Sequence, residues 1–137
     1  MYCHGLGLHV VDRFENHDGF DGVMLGIEGS NYHFEFTHCR AHPVAAAPTP
    51  EDLVILYLPA AAEWQAACAS MLAAGFEQVT SFNPYWEVRG RTFKDPDGYR
   101  IVLQQDEWNK LEKPWTEGPK VAGSCKEGKG RKLDPPP

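Results

Sequence analysis

The sequence predicts an α+β protein built from two repeated halves, and three observations predict it. Residues 91 to 105, "RTFKDPDGYRIVLQQ", have the chemistry of a strand, a tight turn and a returning strand. "LVILYLP" (53 to 59), followed by an Ala-rich stretch, has that of a buried strand leading into an amphipathic helix. The first half also matches the second when slid along it.

Bulk properties narrow the possibilities before any motif is considered. A chain of 137 residues with 42% hydrophobic content suits a single core, so one site is expected. Seven Lys or Arg stand against four Asp or Glu from Trp108 onward, which leaves −9 on residues 1 to 107 of a chain whose formal charge is −6. An acidic core of this kind argues against nucleic acid as a partner. Neither a membrane-length apolar run nor the basic and apolar regions of a signal peptide are present, and the expected setting is the cytoplasm. Cys3, Cys39, Cys68 and Cys125 are scattered without a Cys-x-x-Cys pair, as reduced thiols would be.

Within the second half each element has a local cause. Residues 53 to 59 are apolar and β-branched and stop at Pro59, so they form a buried strand. Over 60 to 74, Trp64, Cys68, Met71 and Leu72 recur at helical spacing, and Gly75 stands where a helix-ending glycine belongs. "FEQVTSF" (76 to 82) forms the next strand, and "NPYW" (83 to 86) is a loop. Asp95-Pro96-Asp97-Gly98 is a type I turn sequence, after which Tyr99, Ile101 and Leu103 alternate with Arg100, Val102 and Gln104. The order is strand, helix, strand, strand, strand.

Sliding the first half by 68 places Gly7 on Gly75, Leu8 on Phe76, Val11 on Val79 and Phe14 on Phe82; sliding it by 67 places "YHFEF" (32 to 36) on "YRIVL" (99 to 103). By this register nothing in the first half corresponds to residues 53 to 68. The first module should therefore lack its opening strand and helix. Residues 1–106 are expected to be one domain, with a partial module one at 1–38, a Pro-rich linker at 39–51 and module two at 52–106. Residues 107–137, rich in Gly, Lys and Pro, are expected to be a disordered tail.

Paired βαβββ modules, with "GFDGVMLGIEGSNYHFEFTH", "NPYW" and "GRTFKDPDGYRIVLQ" in this order, resemble the vicinal oxygen chelate superfamily. That superfamily includes glyoxalase I, extradiol dioxygenases, fosfomycin-resistance enzymes and bleomycin-resistance proteins; these blocks resemble a small glyoxalase/bleomycin-resistance-like subgroup. The resemblance implies a curved mixed sheet around a cavity. In metal-using members each module supplies two ligands, one on its first strand and one on its last. Glu35 in "HFEFTH" matches the last-strand ligand of module one, but its repeat partner is Val102, Leu53 stands where module two would carry a His, and the first strand of module one is missing. No cofactor is therefore expected. His33 and Glu35 share a strand face and are the residues that would hold zinc, nickel, cobalt or iron if one were bound.

With Glu35 facing the cavity, alternation carries His33 and Thr37 with it and sends Phe34 and Phe36 to the packed side. The same logic puts Arg100, Val102 and Gln104 of the last strand, and Leu53, Ile55 and Tyr57 of the first, on the cavity face, with Tyr85 and Trp86 over the mouth. Such a cup suits a small aromatic or cationic ligand held unchanged. One alternative is catalysis of the glyoxalase lyase or isomerase kind, with a buried Glu35 as general base and Arg100, Tyr57 or a backbone N–H stabilising an enolate; a further alternative is an inactive, truncated gene product. A homodimer is expected, because a module without its first strand leaves a sheet edge and an apolar face uncovered.

Overall fold

The computed structural model describes residues 1–108. Along them run α1 (Tyr2–Leu6), β1 (His9–His17), β2 (Phe20–Gly26), β3 (His33–Cys39), β4 (Leu53–Tyr57), α2 (Ala61–Ala73), β5 (Glu77–Val79), α3 (Tyr85–Val88), β6 (Gly90–Lys94) and β7 (Arg100–Gln104). Hydrogen bonding sorts the strands into a three-stranded sheet of order β1-β2-β3 and a four-stranded sheet of order β4-β7-β6-β5. The first is antiparallel throughout. In the second, β4 runs parallel to β7, and β6 lies antiparallel to both β7 and β5.

The second half folds as its residues dictate. The Asp95 carboxylate accepts the N–H groups of Asp97 and Tyr99 at 3.0 and 2.9 Å. Gly98, at φ 94°, closes the turn by donating to the Asp95 carbonyl at 3.1 Å. Helix α2 lays Trp64, Ala67, Cys68 and Met71 on the sheet. The Trp64 indole N–H donates to the Leu103 carbonyl at 2.8 Å, tying the helix to β7. Leu72, expected in that stripe, is 48% exposed; at ~100° per residue it lies roughly 80° round the helix from Trp64, off the buried side. The core is Cys68, Met71, Phe76, Phe93, Ile101 and Leu103, all from this half.

Two local expectations change. The strand expected over 76 to 82 shortens to Glu77–Val79, and the stretch expected as a loop contains α3. Asn83 Oδ1 accepts the Tyr85 N–H at 3.0 Å, and Glu87 Oε1 accepts the Ser81 N–H at 2.8 Å. These two local bonds give the backbone an alternative to extending β5.

The repeat holds in the first half. Gly7 and Gly75, with φ of 67° and 92°, both follow helices in the left-handed region, and Leu8 and Phe76 are both buried. The expected absence of a helix from module one is corrected by the short α1, which the offset of 68 aligns with residues 70 to 74, the end of α2 and its C-cap. Among the described residues no strand precedes α1, and the sheet of this half has three strands against four. Helix α1 crosses close to α2, where a Cβ at Gly5 would stand 2.9 Å from both Met71 Sδ and Phe76 Cε2. The tail expected from residue 107 lies outside the described residues beyond Trp108. Among the described residues no helix is long and apolar enough to cross a membrane.

Candidate functional site

Alternation gives each sheet two faces, and helices occupy one of them. On β3, Phe34 and Phe36 share a face with their register partners Leu25 and Val23. Tyr2 of α1 lies against that face, its ring 4.8 Å from Phe36 and 5.2 Å from Phe76. His33, Glu35 and Thr37 take the opposite face. In the other sheet α2 covers Ile101 and Leu103. Leu53, Ile55 and Tyr57 pair with Arg100, Val102 and Gln104 on the far side.

Strands β3 and β4 each end a sheet, and both border one cavity of about 1060 Å³. Its two ends differ in chemistry. Phe34, Phe36, Val23, Leu25, Tyr2 and Leu6 form an apolar end on the α1 side, while Glu35, Thr37 and Arg100 bring polar groups, and Leu53 an apolar one, from the opposite faces of the sheets. Phe34 and Phe36, expected on a packed side, line this cavity, and Phe36 is 38% exposed. The reason is that α1 is too short to cover them.

The candidate residues therefore divide. Glu35, Thr37, Leu53 and Arg100 border the cavity. His33 Nε2 is 3.8 Å from Glu35 Oε2, and both side chains are open to solvent, at 50% and 43% exposure. Half-buried Ile55 continues along β4 to Tyr57, whose ring meets Trp108 at 5.3 Å. Burial, then the neighbouring Tyr85 and Asp106, push the Tyr57 hydroxyl above the usual tyrosine range. Tyr85 is exposed and meets half-buried Trp86 edge-on at 4.8 Å. These aromatics form a second group, roughly 13 Å from Leu53 along the strand.

Val102 and Gln104 need correction as ligand-facing residues. They point as alternation requires but are fully buried, at 0% and 2% exposure. The segment around α3 lies over that part of the sheet. Ser81 and Thr92 share a hydroxyl–hydroxyl hydrogen bond there, and the Gln105 N–H donates to the Arg89 carbonyl at 2.9 Å. Gln104 Oε1 is left without a partner beneath it.

Among the described residues the donors do not gather into a set that fits a divalent cation. His33 and Glu35 make a pair, and among the described residues no group of three or more His, Cys, Asp or Glu gathers. A zinc site needs at least three protein ligands.

Two contributions escaped the sequence. Tyr2 donates its hydroxyl to Asp95 Oδ2 at 2.7 Å, joining α1 to the β6–β7 turn across 93 residues. Burial first, then that carboxylate, raise its ionisation far above the usual tyrosine range. The other is Val44-Ala45-Ala46, which lines the cavity from within the Pro-rich stretch. Its signal was an apolar run inside a segment otherwise punctuated by prolines.

Two sheet modules bordering a shared cavity define the glyoxalase and antibiotic-resistance class of fold. The chain belongs to the YycE-like family, whose N-terminal domain matches residues 1–37 and whose C-terminal domain matches residues 51–105. The uncharacterized protein YycE of Bacillus subtilis strain 168 is 41% identical over 103 residues, covering 75% of this chain and 74% of that one. A crystal structure of a B. subtilis YycE protein, described as of unknown function and of glyoxalase or fosfomycin-resistance type, superposes with a TM-score of 0.74 at 38% identity, over 82% of this chain and 81% of that one. The trypanothione-dependent glyoxalase I of Leishmania major (TM-score 0.56, 19% identity, 77% and 73% covered) shares the fold. So does an antibiotic-binding protein from Streptomyces sp. CB03234 (0.51, 20%, 77% and 81%).

Proposed function

We propose that this chain binds a small aromatic or cationic organic molecule at the polar end of the cavity, without a metal centre. The observation that carries the proposal is the cavity bordered by both sheet edges, with apolar walls and with Glu35 and Arg100 among its charged groups, beside Asp52, Asp95 and Asp97. Apolar area supplies affinity and the few charges orient the ligand. Free thiols at Cys3, Cys39 and Cys68 support a cytoplasmic setting. The sequence and fold relatives named as glyoxalase or antibiotic-binding proteins support a small-molecule role in general, and the ligand class comes from this chain's own residues.

Thermal-shift screening of aromatic and cationic compounds, followed by titration calorimetry, tests the proposal. A cationic hit should bind the wild type with a micromolar Kd and lose about tenfold on Glu35→Gln, or ~1.4 kcal/mol. Hits indifferent to Glu35→Gln, Leu53→Lys and Arg100→Met alike would place the site elsewhere. Elemental analysis after dialysis should find no stoichiometric metal; about one equivalent of zinc, nickel, cobalt or iron, lost in Glu35→Ala, would overturn the metal-free part.

The His33–Glu35 pair favours one other function, in which Glu35 removes a proton next to a carbonyl as in a glyoxalase-type lyase or isomerase. Both side chains are open to solvent, whereas a general base tuned to neutral pH draws on burial. Turnover of an α-ketoaldehyde–thiol adduct that disappears in Glu35→Gln would decide for the enzyme.

A further inference from the structure

Gln104, the last residue of β7, is a polar side chain that the fold leaves unsatisfied. It is 2% exposed, and among the described residues its Oε1 accepts no hydrogen bond. Apolar neighbours fill the rest of the strand, with Ile101, Val102 and Leu103 all buried. An acceptor buried without a donor destabilises the fold that holds it, so its place in such a strand calls for a donor from outside.

The surroundings of Gln104 suit a flat, apolar molecule. Tyr57 of β4 and Gly90 of β6 flank it in register on the same face. A Cβ at Gly90 would stand 2.6 Å from Gln104 Oε1 and would also run into the Trp86 carbonyl, so the bare glycine is what lets the α3 segment close over the amide. Aromatic rings gather round this point: Tyr57 meets Trp108 at 5.3 Å and Tyr85 meets Trp86 at 4.8 Å. Such faces stack on planar ligands.

The cover is lightly held. Helix α3 has four residues and no side-chain cap at its N-terminus, too few for stability of its own. Its ties to the sheet stand at the two ends of the segment, Ser81 to Thr92 and Arg89 to Gln105 and Asp106. Between them, among the described residues, no hydrogen bond joins residues 82–88 to β4, β6 or β7. Phe82, Tyr85 and Val88 are exposed, so little apolar contact holds the outer side of the segment down.

We propose that Gln104 is the acceptor of a second binding site, which takes an aromatic amide or amidine stacked against Tyr57 and Trp86 as residues 82–88 lift to admit it. An N–H of the ligand donates to Gln104 Oε1, and the aromatic ring replaces the contacts that α3 gives up. Tyr57 lies four residues along β4 from Leu53, roughly 13 Å, and the site uses neither Glu35 nor Arg100. It is therefore separate from the cavity site proposed above.

Benzamide and methyl benzoate share a ring and a carbonyl, but only benzamide carries N–H donors, which makes them the probes. Titrated into the full chain and followed by two-dimensional NMR, benzamide should shift the Gln104 side-chain amide and the Trp86 indole N–H, and methyl benzoate should bind at least tenfold more weakly. Gln104→Met keeps the size and removes the acceptor; it should weaken benzamide at least tenfold and raise Tm by roughly 4 °C, because no acceptor is then left unpaired. Equal binding of the two probes, or equal binding of benzamide to Gln104→Met and wild type, overturns the proposal. A lower Tm for Gln104→Met does so too, since the amide is then bonded within the fold. Benzamide shifts confined to the backbone amides of Glu35 and Arg100 would put the molecule in the cavity and likewise overturn the second site, leaving the cavity proposal to be judged on its own variants.

Discussion

The two halves carry corresponding residues, but among the described residues only one half has a complete cover. Ile101 and Leu103 are 2% and 1% exposed beneath α2, while Phe36, the repeat partner of Leu103, is 38% exposed beside α1. All six residues of the core cluster come from the second half. The difference teaches that an apolar residue on a strand is only half of a core position; the other half is the element packed over it. Where that element is short, the same pattern becomes a wall of a cavity.

The contrast is broken most directly by truncating repeat partners. Leu103→Ala should cost about 3 kcal/mol, within the range for buried Leu, and Phe36→Ala about 1 kcal/mol, because its ring already meets solvent. Urea denaturation measures both, and equal losses would erase the distinction.

Tyr2 joins the halves, so it sharpens the comparison next. Tyr2→Phe removes the hydrogen bond to Asp95 and keeps the ring contacts with Phe36 and Phe76, for an expected loss of about 1 kcal/mol at this half-buried position. Because the fold raises the Tyr2 ionisation, its contribution is fully present below the ordinary tyrosine value of 10.0 and is lost as pH rises above it. Wild type should thus lose stability between pH 10 and 11 more steeply than Tyr2→Phe. Parallel pH profiles would remove Tyr2 as the joint.

The smallest effect belongs to the hairpin of the first half. Asp21 accepts from Arg40 Nε at 2.8 Å and Nη2 at 2.6 Å, and from the Asn16 N–H at 2.9 Å. The Arg40 bond first, then that backbone bond, lower its pKa to about 2. Its stabilisation is present above pH 4 and fades as pH falls toward 2, so wild type should lose a small part of its Tm on acidification that Asp21→Asn does not. Matching acid curves would show the clasp to be inert.

Much of the fold was legible because it follows from local chemistry. The DPDG turn, the Trp64–Met71 stripe, Gly75 and the offset linking Gly7 to Gly75 each act within a few residues or through repetition. The candidate site was legible only in part. Alternation along β3, β4 and β7 sets the faces of Glu35, Thr37, Leu53 and Arg100, but the cover over Val102 and Gln104 comes from α3, whose Asn83 and Glu87 bonds carry no periodic signal. Tyr2 and Asp95, 93 residues apart, meet only because α1 packs on α2.

Residue-resolved hydrogen exchange tests the central contrast most directly. Strand β7 is paired on both sides, by β4 and β6, whereas among the described residues β3 is paired by β2 alone. Amides of Ile101 and Leu103 should exchange only through global unfolding, and outward-facing amides of β3 should exchange through local opening, at least a hundredfold faster or ~2.7 kcal/mol lower in opening free energy. Equal protection of every amide in the two strands would mean that β3 is covered as completely as β7, and would contradict this account.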